Sequence, residues 1–277
     1  MSSSCRCFGL SRQAVYQLLQ RRRHRQMHLA PLHDCIARLR RQMPRLGTRK
    51  LYHLLADDLC RLGIKLGRDG LFDWLREHRL LIGRRKNYTR TTNSRHWMRK
   101  HPNLVTGRAV SRPEQVFVSD ITYVESDQGV HYLSLVTDAF SRKIMGYELS
   151  TGMRAEQVLR ALKQAIRNRV TKAPLIHHSD RGLQYCSAAY QAVLRKHGIT
   201  PSMTDGYDCY QNALAERVNG ILKQEFLLYR CKTFEDLRQL VKEAIDTYNT
   251  RRPHLALAMQ TPEAVHQKAS GMIPLAP

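Results

Sequence analysis

Long apolar runs are missing from this chain. No stretch approaches the roughly 18 consecutive apolar residues of a membrane-spanning helix, and Met1 to Leu10 lacks the apolar core of a secretory signal. A cytoplasmic protein with no membrane partner is therefore expected. Paired cysteines are missing too. The seven cysteines (Cys5, Cys7, Cys35, Cys60, Cys186, Cys209, Cys231) are odd in number, scattered and free of any C-x-x-C, which argues against a disulfide framework or a zinc knuckle. His24, His28, His33 and Cys35 lie close in sequence, but their spacing fits no common zinc finger. Acidic residues are scarce, with 23 Asp and Glu against 46 Lys and Arg, and the net charge is +23. That surplus implies a polyanion partner. The basic segments alternate with short helical patterns and carry no lipidation signal, so nucleic acid fits better than a membrane surface.

What is present is divided unevenly. The 277 residues suit about two domains, and 42% hydrophobic residues can build an ordinary core. Residues 1–112 hold 26 Lys and Arg against 6 acids, whereas residues 113–277 hold 20 against 17. The charge pattern and periodicity divide the chain into four sections. Residues 1–46 form a basic helical segment in which Ser11 caps a helix over Arg12 to Arg22, the possible remnant of a helix-turn-helix. Residues 47–82 read as a helix-turn-helix DNA-binding region. Leu51, Leu54, Leu55 and Leu59 make one apolar stripe, Gly63 and Gly67 bracket a turn, and Leu71, Phe72, Leu75 and Leu80 make the next. Arg49, Lys50, Arg68 and Arg76 surround this pair of helices and are candidate DNA contacts. Residues 83–112 form a basic, polar linker in which Arg84, Arg85 and Lys86 suit a phosphate backbone.

From residue 113 the pattern changes. Gln115 to Val124, Val130 to Val136 and Arg142 to Ser150 are rich in Val, Ile, Tyr and Leu, with turn residues between them, so three consecutive antiparallel strands are predicted. There follow a helix over Ala155 to Arg169, a strand over Ala173 to His178, a helix over Ala188 to His197 and a strand over Ile199 to Met203. Helices over Asn212 to Phe226 and Thr233 to Tyr248 complete the order. The class is α/β: a ribonuclease-H-like mixed five-stranded sheet with flanking helices, preceded by a small all-α region.

Asp120 sits in the first of these strands, and period-two alternation puts it on one face with Val118, Thr122 and Val124. A carboxylate buried there needs a compensating partner. Asp180 ends the segment Ile176-His177-His178-Ser179-Asp180, and Glu216 lies one turn into a helix that also carries Asn212, Asn219 and Lys223 on the same face. The first and fourth strands of such a sheet are neighbours, which would join Asp120 to Asp180, and the later helix can bring Glu216. Three carboxylates suit hard Mg²⁺, and two such ions can activate an attacking oxygen and stabilise a leaving one on phosphorus.

These segments, Phe117-Val118-Ser119-Asp120-Ile121-Thr122-Tyr123, His178-Ser179-Asp180-Arg181-Gly182 with Gln184-Tyr185, and Asn212-Ala213 with Glu216 and Leu222-Lys223-Gln224-Glu225, resemble the DDE transposases of the insertion-sequence-three family, relatives of retroviral integrases. The resemblance continues through Tyr248-Asn249, Arg252-Pro253-His254 and Thr261-Pro262, and backwards into Gly47 to Leu81 and Thr91 to Ser94. One departure is Gln211, where the family more often has Asp.

The resemblance implies an OrfB-type, second-reading-frame transposase with Asp120, Asp180 and Glu216 as catalytic and metal-binding residues, and Mg²⁺, or Mn²⁺ in its place, as cofactor. It also implies Lys223 as a DNA contact, and His178 and Asn212 as residues that back the carboxylates or touch substrate. Terminal inverted repeats and target DNA are the implied partners, with a homo-oligomer on DNA and an upstream-frame OrfA-type protein. The alternative is a DNA-binding regulator of transposition with no activity of its own.

Overall fold

The computed structural model describes residues 9, 11–83, 98–205, 212–269 and 271. The chain forms two compact units, Met1–Gly83 and Arg84–Pro277.

The first unit is helical. Helix α1 spans Arg12–Leu29, and its N-cap Ser11 accepts a hydrogen bond from the Ala14 amide at 3.1 Å. It runs on past Arg22, the end expected from the sequence, because no helix-breaking residue occurs before Pro31. That proline occupies the first turn of α2, Pro31–Gln42, where its missing N–H costs nothing. The stripe expected over Leu51 to Leu59 divides at Leu55 into α3, Thr48–Leu54, and α4, Ala56–Arg61. Gly63, at φ +64°, turns the chain in a left-handed conformation that suits glycine. Helix α5, Arg68–Glu77, then buries Leu71, Trp74 and Leu75, while Phe72 of the expected stripe is only half-buried. Asp58 ties α4 to α2 by accepting from Arg38 and Arg61, each at 2.5 Å.

The second unit is built on a five-stranded sheet: β1 Val116–Ser126, β2 Gly129–Asp138, β3 Ile144–Ser150, β4 Leu175–Ser179 and β5 Ile199–Met203. The spatial order is β3-β2-β1-β4-β5. β1 to β3 form an antiparallel meander, and β4 and β5 add in parallel, with Val118 opposite His178. This is the mixed sheet expected from the strand order. Helices α6 (Ala155–Arg167), α7 (Leu183–Cys186) and α8 (Ala188–Lys196) follow the expected order, apart from the one-turn α7, which the sequence did not suggest.

One face of the sheet buries Phe117, Ile121 and Met145 against Val158, Leu162, Tyr190 and Leu194. On the other face Val116, Val118 and Ile176 pack with Ala215 of α9, Ala213–Ile221. Helix α6 lies so close to β3 that a Cβ on Gly146 would fall 2.1 Å from the Ala161 carbonyl oxygen. Helix α10, Phe234–Thr250, and α11, Pro262–Ala269, complete the unit. Residues 98–112, the part of the expected linker that is described, contribute Met98, Leu104, Val105 and Val110 to the packing of this second unit.

Candidate active site

Three elements converge at one end of the β1–β4 pair. Asp120 is a half-buried residue of β1, and its Oδ2 accepts a hydrogen bond from Asn219 Nδ2 of α9 at 2.7 Å. Asp180 follows the last residue of β4, and its Oδ1 accepts from the Gly182 amide at 2.9 Å, a turn in which the side chain organises the backbone two residues on. A Cβ on residue 182 would stand 3.0 Å from that same oxygen. Glu216 projects from the first turn of α9 and is exposed.

The three carboxylates interact electrostatically. Burial raises the Asp120 pKa to about 7, with help from the charge of Asp180 and, less, of Glu216, against hydrogen bonds from Asn219 and the Ile121 amide that lower it. Partial burial and then the Asp180 charge also raise the pKa of Glu216. Lys223, whose charge also reaches Asp120, donates from Nζ to Thr122 Oγ1 at 3.2 Å and lies 4.1 Å from the Tyr123 ring centroid. Burial lowers its pKa, while Glu125 and Asp120 oppose that shift. It is carried by a π-helical turn, Leu222–Phe226, that prolongs α9 where the sequence predicts an uninterrupted α-helix.

The other expected residues are distributed as follows. Asn212, buried at the start of α9, donates through Nδ2 to the Ser119 carbonyl at 3.1 Å, next to Asp120. His178 is fully buried, with Nδ1 2.9 Å from Ser202 Oγ of β5. Arg49, Lys50, Arg68 and Arg76 belong to the helical unit; Arg68 pairs with Asp69 at 2.8 Å and Arg76 with Asp73 at 2.5 Å. Such exposed pairs are weak and exchange readily for a phosphate. Arg84, Arg85 and Lys86 lie outside the described residues. Sequence reasoning placed Asn219 on the right helix face but did not identify it as the donor to Asp120; its position three residues after Glu216 was the available signal.

The side chains fit a divalent cation in donor type and charge. All three carboxylates are hard oxygen donors, two of them have raised pKa values that an added cation would reverse, and Asn219 Oδ1 is buried with no hydrogen-bond partner among the described residues. Waters of a hydrated ion would donate to that oxygen. Among the described residues no three His, Cys, Asp or Glu side chains already stand close enough to hold one ion.

A ribonuclease-H-like sheet with acids on its first strand, after its fourth and on a later helix defines the integrase-type polynucleotidyl transferases. The integrase core domain family matches residues 110–209, and a second integrase core family matches residues 197–262. The chain is 34% identical over 270 residues to the insertion element IS600 uncharacterized 31 kDa protein of Shigella sonnei, covering 95% of this chain and 97% of that one. It is 33% identical to the transposase for insertion sequence element IS629 of Shigella sonnei, over 80% of this chain and 74% of the other. It is also 42% identical to transposase InsF for insertion sequence IS3A of Escherichia coli, over 42% and 40%. Its fold resembles a chain of the simian T-cell lymphotropic virus intasome solved in complex with PP2A regulatory subunit B56 gamma, at TM-score 0.52 and 20% identity, over 83% and 77% of the two chains. The chain belongs to the insertion-sequence-three family of DDE transposases, OrfB type. That family uses a divalent metal and acts on DNA.

Proposed function

We propose that this transposase cleaves DNA at the ends of its insertion sequence and transfers the freed strand to a target, with Asp120, Asp180 and Glu216 as its metal-holding residues. The observation that carries this reading is the mutual repulsion of these three carboxylates on β1, after β4 and on α9, with Asn219 holding one of them in place. Bound magnesium, or manganese in its place, supplies Lewis acidity at phosphorus and a lowered pKa for attacking water or hydroxyl.

Asn219 fixes the rotamer of Asp120 through its amide, and the Gly182 amide does the same for Asp180. Asn212 holds the backbone of Ser119, and so the position of its neighbour Asp120, against α9. Lys223 offers a cation at the rim, where it can trade Thr122 for a backbone phosphate of the substrate. His178 backs the β4–β5 pair from within. The helical unit, with Arg49, Lys50, Arg68 and Arg76, recognises the terminal inverted repeats together with Arg84, Arg85 and Lys86 of the connecting segment. Two ends joined in one reaction imply a homo-oligomer on DNA, with an upstream-frame OrfA-type protein as a second partner, in a cytoplasmic, nucleoid-associated setting.

An oligonucleotide carrying the terminal repeat, incubated with Mg²⁺ or Mn²⁺, tests the reading. Nicking and strand transfer by the wild-type chain, abolished in Asp120→Asn with end binding retained, is the expected result. End binding without nicking under either metal would instead identify a DNA-binding regulator.

A further inference from the structure

β5 is the last strand on its side of the sheet, and such an edge leaves backbone amides to be satisfied from outside. A strap formed by residues 102–110 does this. The Pro102 carbonyl accepts from the Met203 amide at 3.3 Å, and the Leu104 amide donates to Ser202 Oγ at 2.9 Å. Asn103 shapes the turn between them, its Oδ1 accepting from the amides of Val105 and Thr106 at 3.0 and 3.1 Å. Leu104, Val105 and Val110 then pack on the layer that holds Val118, Ile176 and Ala215. Val118 shares its face of β1 with Asp120, and Ala215 is the residue before Glu216. Nearly all of the strap precedes residue 110, where the integrase core match begins.

Ser202 is the junction between strap and site. A hydroxyl carries one proton and two lone pairs, so accepting from Leu104 leaves a proton and a lone pair for His178, whose Nδ1 lies 2.9 Å away. Both side chains are buried, where hydrogen bonds in series strengthen one another. His178 stands opposite Ser202 in the β4–β5 pairing and two residues before Asp180, on the same face of β4. The end of β4 is fixed by two further bonds. The Thr204 amide donates to the Ser179 carbonyl at 3.1 Å, and Ser179 Oγ donates to the Asp180 carbonyl at 3.0 Å. A continuous path therefore runs from Leu104 through Ser202 and His178 to the turn in which Asp180 accepts from the Gly182 amide.

We propose that the strap is a positioning element of the metal site: Asn103 gives it its shape, and Ser202 is the positioning residue through which it holds His178 and the turn that aims Asp180. The inference rests on the reading of Asp120, Asp180 and Glu216 as metal-holding residues. Covering an edge strand needs only backbone bonds and apolar side chains. It does not need a buried hydroxyl and a buried imidazole, which are costly unless each finds a partner. What the polar relay adds is direction. Apolar layers tolerate small slides, whereas a hydrogen-bonded series fixes the strand end, and a set of metal ligands works only when held to within about 0.5 Å.

The test uses the full chain carrying Ser202→Ala, Asn103→Ala or Asn103→Asp, the last of which keeps both acceptors of the turn. Two quantities are read: amide exchange of Leu104 and Gly182 by NMR in chelator, and Mn²⁺ affinity from the electron paramagnetic resonance of the free ion. Ser202→Ala and Asn103→Ala should each speed exchange at Leu104 and also at Gly182. They should weaken Mn²⁺ binding about three- to tenfold, less than the roughly 10–100-fold lost with a direct partner of a metal ligand. Asn103→Asp should behave as wild type. Faster exchange at Leu104 with Gly182 and Mn²⁺ affinity unchanged overturns the proposal and leaves the strap a cover for β5. Should Ser202→Ala unfold, seen as fast exchange throughout α10, the two Asn103 variants decide, since that side chain is partly exposed on the strap itself. A wild-type chain that binds no Mn²⁺ would refute the proposed metal site, whereas the Gly182 exchange, read without metal, still decides whether the strap holds the Asp180 turn.

Discussion

Arg252 and Glu225 form a two-point ion pair inside the catalytic unit, with Nη2 2.7 Å from Oε1 and Nε 2.8 Å from Oε2. Arg252 is buried, its Nη1 lies 3.0 Å from His254 Nε2, and Glu225 belongs to the π-helical turn that carries Lys223. The pair therefore anchors the end of the helix that presents Glu216. Arg252→Ala would take the two-point cationic partner from a partly buried carboxylate, a change that costs on the order of 3–5 kcal/mol. Arg252→Lys keeps the charge and loses the fork geometry, so its loss should be smaller but clear. Thermal and urea denaturation of the two variants checks the order; equal stability of wild type and Arg252→Ala would show that the clamp carries no load.

The Asp120 carboxylate should make the metal-free protein less stable as pH rises. Its folded pKa is raised to about 7 from an ordinary value of 3.8, so the folded state holds the proton more tightly than the unfolded one. The stabilisation from that proton is fully present below the unfolded value and is lost as pH climbs through the folded one. Asp120→Asn removes the effect. In chelator at pH 8 the variant should be more stable than wild type by about 1–2 kcal/mol, with much of the full shift discounted because the residue is not completely shielded from screening water. The gap should close near pH 4, and magnesium should stabilise wild type and not the variant. Parallel pH profiles for the two proteins would contradict the assignment.

Asn219→Ala removes the amide that donates to Asp120 Oδ2. That bond favours the charged carboxylate, so its loss should push the Asp120 pKa further up, and divalent-cation binding, which needs the anion, should need a higher pH. A shift of about one unit in the midpoint is expected. Calorimetric titration with Mn²⁺ across pH 5–9 would reveal it. A pure loss of fold would lower binding at every pH and would not move the midpoint.

The three meander strands were legible because Val, Ile and Tyr alternate with polar residues between clear turn signals, and their ends differ from expectation by only a few positions. Asp120 was legible for the opposite reason: a carboxylate breaks that apolar pattern. The π turn at Leu222–Phe226 was not, since Asn212 to Phe226 reads as one helix and only the tertiary clamp from Arg252 distinguishes its last turn. The end of α1 was misjudged because the arginine run resembles a solvated terminus, while nothing in it stops a helix before Pro31.

Buried charge also governs how the C-terminal helix docks. His266 of α11 lies between two fully buried carboxylates, with Nε2 3.5 Å from Glu114 Oε1 and Nδ1 3.6 Å from Asp138 Oδ2. Burial alone would lower the His266 pKa, but the polar interactions with the Asp138 and Glu114 carboxylates outweigh it and leave the pKa raised, while Ser141 Oγ lies 3.0 Å from Nδ1. Burial likewise would raise the pKa of Glu114, yet His266, the Val170 amide and Thr171 bring it down to about 2. The signs define a window. The Glu114 contribution is present above the unfolded carboxylate value and is lost as pH falls towards about 2. The His266 contribution is present below the unfolded imidazole value and is lost as pH rises through the raised folded one. Stability from this contact should therefore be greatest between roughly pH 4.5 and 6.5, bounded by the two ordinary values. His266→Gln keeps a polar side chain but cannot become cationic, so it should flatten the alkaline limb and lower stability near pH 6 by about 1–3 kcal/mol, the cost of burying carboxylates with a weakened partner. Amide exchange of residues in α11, followed from pH 5 to 9, would locate the loss. Protection that stays constant over that range in wild type, after correction for the intrinsic rate, would show that the helix is held by apolar packing and not by the imidazolium.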